Sequence, residues 1–370
     1  MKLETAVTEQ QALVSDQVAS ARQGNPLSFF EFWPGWLFYT PVVAHWVLLG
    51  LRYGDFSLPT AANPRITTGG LCGESKLSIL SQIGPEAADL TAPARGVLAH
   101  PDGVAAVEAA METAGLAYPV VVKPDIGCNG TGVRLVHDAA EVAAYLAGFP
   151  AGETLVVQQY VAEPHEAGLF YVRHPHEMRG RITSMTIKEP PVVVGDGRST
   201  LRTLILADER AGRVPHLYLD RLADRLDQVP DQGEQVRLVF VGNHCKGSIF
   251  RDGGDLITPA LTEAIERLVR SMPDFHFGRI DVRFASIALL RRGLGFRVIE
   301  INGVGSEATH IWDPRTKLLA AWRTQFFHYG AAFRIGAANR RRGFRPSGLR
   351  TMYRDWKNQR RLMAAYPLND

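Results

Sequence analysis

Short apolar runs set off by turn residues dominate this chain, and their lengths suit strands better than helices. Between residues 76 and 160 the order reads helix, strand, glycine-rich loop, strand, helix, strand. The strands are YPVVVKP (118–124), GVRLVH (132–137) and TLVVQQYV (154–161), with the helix DAAEVAAYLAG between the last two. From 166 to 302 the signals are mostly strands: GLFYVR, RITSMTIK, PPVVVGD, QVRLVFVG, GRIDVRF and FRVIEIN. Two helices interrupt them, one at 200–211 and one opened by Thr258-Pro259 in TPALTEAIERLVRSM. Two more helices are predicted around Trp322–Phe333 and Leu349–Ala365. No internal repeat and no low-complexity linker appears.

The run from Leu37 to Leu51 (LFYTPVVAHWVLLGL) is the one place where a membrane could enter. It has fifteen residues, whereas a span takes roughly 20 consecutive apolar ones, and Pro41 and His45 interrupt it. A buried or surface-docked helix is expected. The first twenty residues are polar, so no leader is expected either.

Composition narrows the class. The chain has 370 residues, 46% apolar and 21% charged, with 35 Gly and 22 Pro spread along it, which excludes collagen-like, coiled-coil and mostly disordered chains. Cys72, Cys128 and Cys245 form no disulfide framework or zinc spacing, so a reducing, cytoplasmic setting is expected. The net charge of +3 does not call for a nucleic acid. Charge is uneven, however: residues 313–370 hold thirteen Lys/Arg against three Asp. This basic tail looks like an appended helical segment. With the aromatic segment at 29–51 it suggests two-signal peripheral attachment to an anionic membrane. The plainer expectation is a small aromatic core and a solvated basic helix.

Chemistry enters at Lys123, which ends an apolar strand and is followed by GCNGTG, comprising Gly127, Cys128, Asn129, Gly130, Thr131 and Gly132. Clustered glycines let backbone N–H groups converge on an anion, and a strand lysine would lie beside it. The spacing fits neither a Walker loop nor G-x-G-x-x-G; a hairpin turn is the competing reading. Cys128 has no nearby His to activate it, so it reads as loop filler. Farther on, Arg279 and Asp281 share one face of GRIDVRF, and Glu300 and Asn302 share one face of FRVIEIN. Two carboxylates and an amide oxygen suit Mg²⁺ on nucleotide phosphates, the alternative being a salt-bridged strand pair. Glu300, in an otherwise apolar strand, needs a cation or a partner.

These residues carry a family resemblance. YPVVVKPDIGCNGTGVRLV resembles the nucleotide loop of the ATP-grasp superfamily. GRIDV followed by IEIN is similar to the metal strands of its D-alanine–D-alanine ligases, and PPVVVGDGRSTLRTLI resembles a segment of cyanophycin synthetase-type ligases. The resemblance covers about 76–312. It implies an α+β fold of two subdomains gripping ATP, at 76–160 and 161–312, flanked by a divergent N-terminal segment (1–75) and the tail (313–370).

The resemblance also implies roles. Lys123 and Lys76 hold phosphates, although Ser75 stands where the family has Asp. Gln158, Gln159, Tyr160 and Val161 form the adenine hinge, with Gln158-Gln159 in place of Glu-Lys, and Glu166 is the ribose acid. Asp281, Glu300 and Asn302 bind Mg²⁺ (or Mn²⁺). Arg279 stabilises developing charge, and Lys188 reaches the outer phosphates. The implied reaction activates a carboxylate as an acylphosphate and joins it to an amine, releasing ADP and phosphate. A kinase or a non-catalytic ATP-binding module on the same fold is the alternative. The expected partners are small carboxylates and amines, and a homodimer is left open. Arg173, His174, His244, Lys246, Arg283, Ser306 and His310 are candidates for the acceptor pocket.

Overall fold

The computed structural model describes residues 27–240, 242 and 247–367; His244, Cys245 and Lys246 lie outside the described residues. The helices are α1 (Gly35–Tyr53), α2 (Lys76–Leu80), α3 (Val104–Thr113), α4 (Ala139–Gly148), α5 (Leu201–Ala207), α6 (Pro259–Arg270), α7 (Ile287–Arg291), α8 (Leu318–Arg341) and α9 (Leu349–Ala365). Strands β1 (Ala94–Leu98), β2 (Val120–Pro124), β3 (Arg134–Val136) and β4 (Thr154–Gln159) form an antiparallel sheet in the order β1-β4-β2-β3. A second antiparallel sheet joins β5 (His165–Val172), β6 (Arg181–Glu189), β9 (Ile249–Asp252), β10 (Phe277–Phe284) and β11 (Phe296–Asn302), in the order β11-β10-β5-β6-β9. A small ribbon pairs β7 (Val192–Val194) with β8 (Gln235–Arg237). The architecture is α+β, as the resemblance implies.

Each sheet buries one face under helices. Val120 and Val122 of β2 and Leu155 and Val157 of β4 pack with Val107 and Met111 of α3 and Val142, Tyr145 and Leu146 of α4. Asp138 starts α4 by accepting hydrogen bonds from the backbone N–H groups of Ala140 and Glu141. Under the second sheet lies α6, whose Leu261, Ile265, Leu268 and Val269 fall on one helical stripe. Thr258 caps α6 through Leu261 N.

Several elements differ from expectation. The strand QVRLVFVG shrinks to β8, because the Arg237 guanidinium bonds the carbonyls of Val239 (2.7 Å) and Phe240 (2.6 Å) and turns the chain out of the ladder. The helix at 200–211 stops at Ala207, where the Asp208 carboxylate takes the N–H groups of Arg210 and Ala211. β1 is a largely exposed edge strand without apolar alternation and leaves no signal in the sequence.

Both terminal segments belong to the body. Against α8, Trp46 of α1 stacks edge-on to Tyr329 and Phe333, and Ala331, Ala332 and Ile335 of α8 cover Phe170 and Phe277 of the second sheet. Leu362 of α9 and the following Tyr366 enter the core of the first sheet. The basic tail is therefore a structural wall with a solvated outer side, because its apolar residues sit at helical spacing on the inner one. α1 leaves Trp36, Val43, Val47, Leu48 and Leu51 exposed. No helix of the described residues is long and apolar enough to cross a membrane.

Candidate active site

The outward faces of the two sheets enclose a cleft of about 730 Å³. Strand periodicity selects its residues. Val120 and Val122 face the core, so Val121 and Lys123 face the cleft; on β10, Ile280 and Val282 face the core and Arg279, Asp281 and Arg283 the cleft.

On β11 that alternation is broken once. Asp281 pairs with Glu300, but Val282 pairs with Val298, so Ile299 is an extra residue, a β-bulge. Without it Glu300 and Asn302 would continue the core-facing series of Phe296 and Val298. With it they turn into the cleft, opposite Asp281 and Arg279 respectively. The Ile299 carbonyl, released from the ladder, accepts hydrogen bonds from Lys123 Nζ and Gln158 Nε2 on the other sheet, both at 3.1 Å.

The five-stranded side is a dense ion network. Arg279 clasps both oxygens of Asp281 at 2.9–3.2 Å. Lys188 Nζ lies 3.1 Å from Asp281 Oδ1 and 2.8 Å from Glu166 Oε1, and Asn302 Nδ2 donates to Asp281 Oδ2 at 3.3 Å. Gly168 stands directly across from Asp281; a Cβ there would press on Asp281 Oδ1 at 3.0 Å, so the glycine makes room for the pair. Burial works against the charge of Asp281, but Arg279 and then Lys188 outweigh it and hold the carboxyl below its usual range. Burial likewise opposes the charge on Lys188, and Asp281 and Glu166 more than restore it, raising its pKa.

The four-stranded side is poor in counter-charge. Lys123 Nζ meets Gln158 Oε1 at 2.7 Å and the Ile299 carbonyl, both neutral. Burial lowers its pKa to about 8; Glu300 pulls it up in part and Lys76 pushes it down. Lys76 opens α2 behind the Ser75 cap, bonds the Gly127 carbonyl at 2.7 Å and lies 3.9 Å from Glu300 Oε1.

Glu74, two residues earlier, was not a sequence candidate. Burial raises its pKa, the Glu300 charge adds to the rise, and its Oε2 has no hydrogen-bond partner. Gln159, at the end of β4, likewise has its Oε1 buried without a partner. Such orphaned acceptors beside a cleft suit a ligand that brings donors.

Of the predicted residues, Lys76, Lys123, Gly127, Asn129, Gly130, Thr131, Gln158, Gln159, Tyr160, Val161, Glu166, Lys188, Arg279, Asp281, Glu300 and Asn302 all line this cleft. Gly132 does not. It has φ +71°, a Cβ would meet Pro124 Cγ at 2.8 Å, and its carbonyl accepts from Tyr145 OH at 2.6 Å, so it anchors the loop to the sheet. Glu166, predicted to hold ribose, is paired with Lys188. Arg283 and Ser306 line the cleft. Arg173, His174 and His310 are not among its lining residues; the Arg173 guanidinium bonds the Phe275 carbonyl.

The sequence reading missed the contribution of both ends of the chain. Tyr39 of α1, Tyr329 of α8, and Trp356, Gln359, Arg360 and Met363 of α9 also line the cleft. Beside the glycine-rich loop, Tyr366 OH donates to the Ile126 carbonyl at 2.8 Å, and Gln359 Oε1 accepts from Gly73 N at 3.0 Å. At the far end, Glu307 receives Tyr39 OH (2.9 Å) and Gln325 Nε2 on Oε1, and Trp312 Nε1 (2.7 Å) on Oε2.

The donor set can be weighed against a divalent ion. Among the described residues no group of three His, Cys, Asp or Glu converges on one point. Two cross-strand carboxylates plus the Asn302 amide nevertheless match Mg²⁺, which takes its remaining ligands from phosphate and water. In their present state the Asp281 oxygens are satisfied by fixed cations.

No family model and no curated protein matches the chain. Solved structures that are similar include a bifunctional glutathione synthetase from Pasteurella multocida (16% identity, TM-score 0.36, covering 68% of this chain and 35% of that one). VanG D-Ala:D-Ser ligase from Enterococcus faecalis follows at 12% identity and TM-score 0.40, with 72% and 63% covered. A RimK domain protein ATP-grasp from Sphaerobacter thermophilus gives 13%, 0.35, 72% and 69%. The chain thus spans about a third of the first and under two thirds of the second.

Proposed function

We propose that this chain is an ATP-dependent carboxylate–amine ligase. One observation carries the reading: a single cleft gathers Lys76, Lys123, Lys188 and Arg279 around Asp281 and Glu300, beneath a glycine-rich loop. Cations so placed beneath a glycine-rich loop, with carboxylates facing them, suit a polyanion that arrives with divalent metal. In this reading Asp281, Glu300 and Asn302 hold Mg²⁺, which neutralises phosphate charge. The backbone at Gly127–Thr131 covers the phosphates, Lys76 and Lys123 hold them, and the segment 158–161 receives the base.

The chemistry needs position and charge more than a protein nucleophile. The carboxylate oxygen of the substrate takes the γ-phosphoryl group and ADP leaves. The amine nitrogen then attacks the acyl carbon; the C–N bond forms, the C–O bond to phosphate breaks, and the amine gives up a proton. Lys188, already drawn to Asp281 and Glu166, sits where it can follow the transferred phosphoryl. Arg279 faces the oxyanion of the tetrahedral intermediate.

The test is phosphate release from Mg-ATP across pools of carboxylates and amines, with mass spectrometry of products. An amide product together with phosphate, lost in Asp281→Ala, supports the reading. A phosphorylated substrate without condensation, or no ATP binding, overturns it.

A further inference from the structure

We infer that Glu307 is the recognition site for a cationic ammonium group, making the amine partner a small primary ammonium compound with an apolar arm. The inference rests on the ligase reading only in calling that compound a substrate.

Glu307 follows the turn after β11 and lines the cleft beyond Arg279. Every donor to its carboxylate among the described residues is neutral: the Tyr39 hydroxyl, the Gln325 amide and the Trp312 indole. Arg279 clasps Asp281 and bonds the Glu307 backbone carbonyl (3.2 Å); its charge attracts the Glu307 carboxylate, but it donates no hydrogen bond to that carboxylate's oxygens. A carboxylate has about four acceptor positions; two on Oε1 and one on Oε2 are filled, which leaves Oε2 able to accept another donor. The three neutral donors fix the orientation of the group without cancelling its charge. Its surroundings are aromatic, since Tyr39, Trp312 and Tyr329 all line the cleft, which gives the apolar arm of an ammonium compound a surface to pack on. A fixed anion among aromatic rings, in a cleft otherwise rich in cations, selects an ammonium group.

The origin of these groups supports a role in specificity. Tyr39 comes from α1 and Gln325 from α8, the segments outside the family resemblance. A purely structural carboxylate could be held by the nearby arginine; this one is held by side chains brought from the two ends of the chain.

The test uses the full chain with Mg²⁺ and a non-hydrolysable ATP analogue at pH 7. Ligand-observed NMR titrations compare phenethylamine with its neutral isostere 2-phenylethanol, and butylamine with butanol. The ammonium member of at least one pair should bind about tenfold tighter. Glu307→Gln should erase that preference, and Tyr39→Phe should weaken it. No preference in the wild-type protein overturns the inference, as does a preference that persists in Glu307→Gln. Should Glu307→Gln fail to fold by circular dichroism, the wild-type and Tyr39→Phe titrations decide. Binding of the ATP analogue, measured on the same samples, reads the ligase proposal separately: its absence sinks that proposal and leaves the ammonium result standing.

Discussion

Lys123 and Lys188 reach the cleft from opposite sheets and are equally enclosed, at 6% and 8% exposure, yet burial leaves them with opposite electrostatics. Lys188 lies between two carboxylates and has its pKa raised. Lys123 is given an amide and a carbonyl, and its pKa falls to about 8. One sheet therefore carries a network that is neutral within itself, and the other a cation short of counter-charge. In the proposed reading an arriving triphosphate would complete the second and compete with the first.

Removing the hub of the self-neutral network should do most damage. Asp281→Ala strands Arg279 and leaves Lys188 with Glu166 alone; it should cost about 3–5 kcal/mol in chemical denaturation and abolish phosphate release. Next comes nucleotide affinity: Lys123→Met should weaken Mg-ATP binding at least about tenfold in calorimetry, the loss of a charge-assisted contact. The same change should leave stability within about 1 kcal/mol, because the hydrogen bonds it removes are to neutral partners. A Lys123→Met variant as unstable as Asp281→Ala would break the comparison.

Proton linkage sharpens the contrast. Between about pH 8 and 10.5 the unfolded chain holds a proton on Lys123 that the folded chain has lost, so this group's contribution to stability rises with pH through that window. Lys188 runs the other way: its contribution is complete below 10.5 and is lost as pH passes its raised folded value. Mg-ATP affinity should fall as pH rises through about 8, with proton uptake on binding that buffer-dependent calorimetry detects and Lys123→Met removes. The smallest effect is expected at the loop. Tyr366→Phe loses one hydrogen bond to the Ile126 carbonyl, worth about 1 kcal/mol, and should raise the KM for ATP with little change in turnover.

The two sheets were not equally legible in the sequence. Lys123 before its glycines, and the pairing of GRIDV with IEIN, are local patterns, and the structure places Arg279 across from Asn302 and Asp281 across from Glu300. The alternation on β10 was likewise readable. The bulge at Ile299 was not, because an extra residue in an apolar run changes no composition and shows only when the partner strand is known. Glu307 and its donors were equally hidden. Tyr39 and Glu307 lie 268 residues apart, and only tertiary packing joins them. The tail misled for a similar reason, since its arginines dominate the charge count while Leu362 and Tyr366 decide where it sits.

The irregularity in β11 ties sequence length to chemistry. Since Ile299 both turns Glu300 and Asn302 into the cleft and lends its carbonyl to the opposite lysine, an indel of one residue between Phe296 and Glu300 would swap the strand's oily and polar sides and sever the bridge at once. Substitution can tune this cleft residue by residue, but a shift of reading by one position along that strand is forbidden to it. In any distant cousin that keeps the same site, the count of residues before the acid should therefore prove more invariant than their identity.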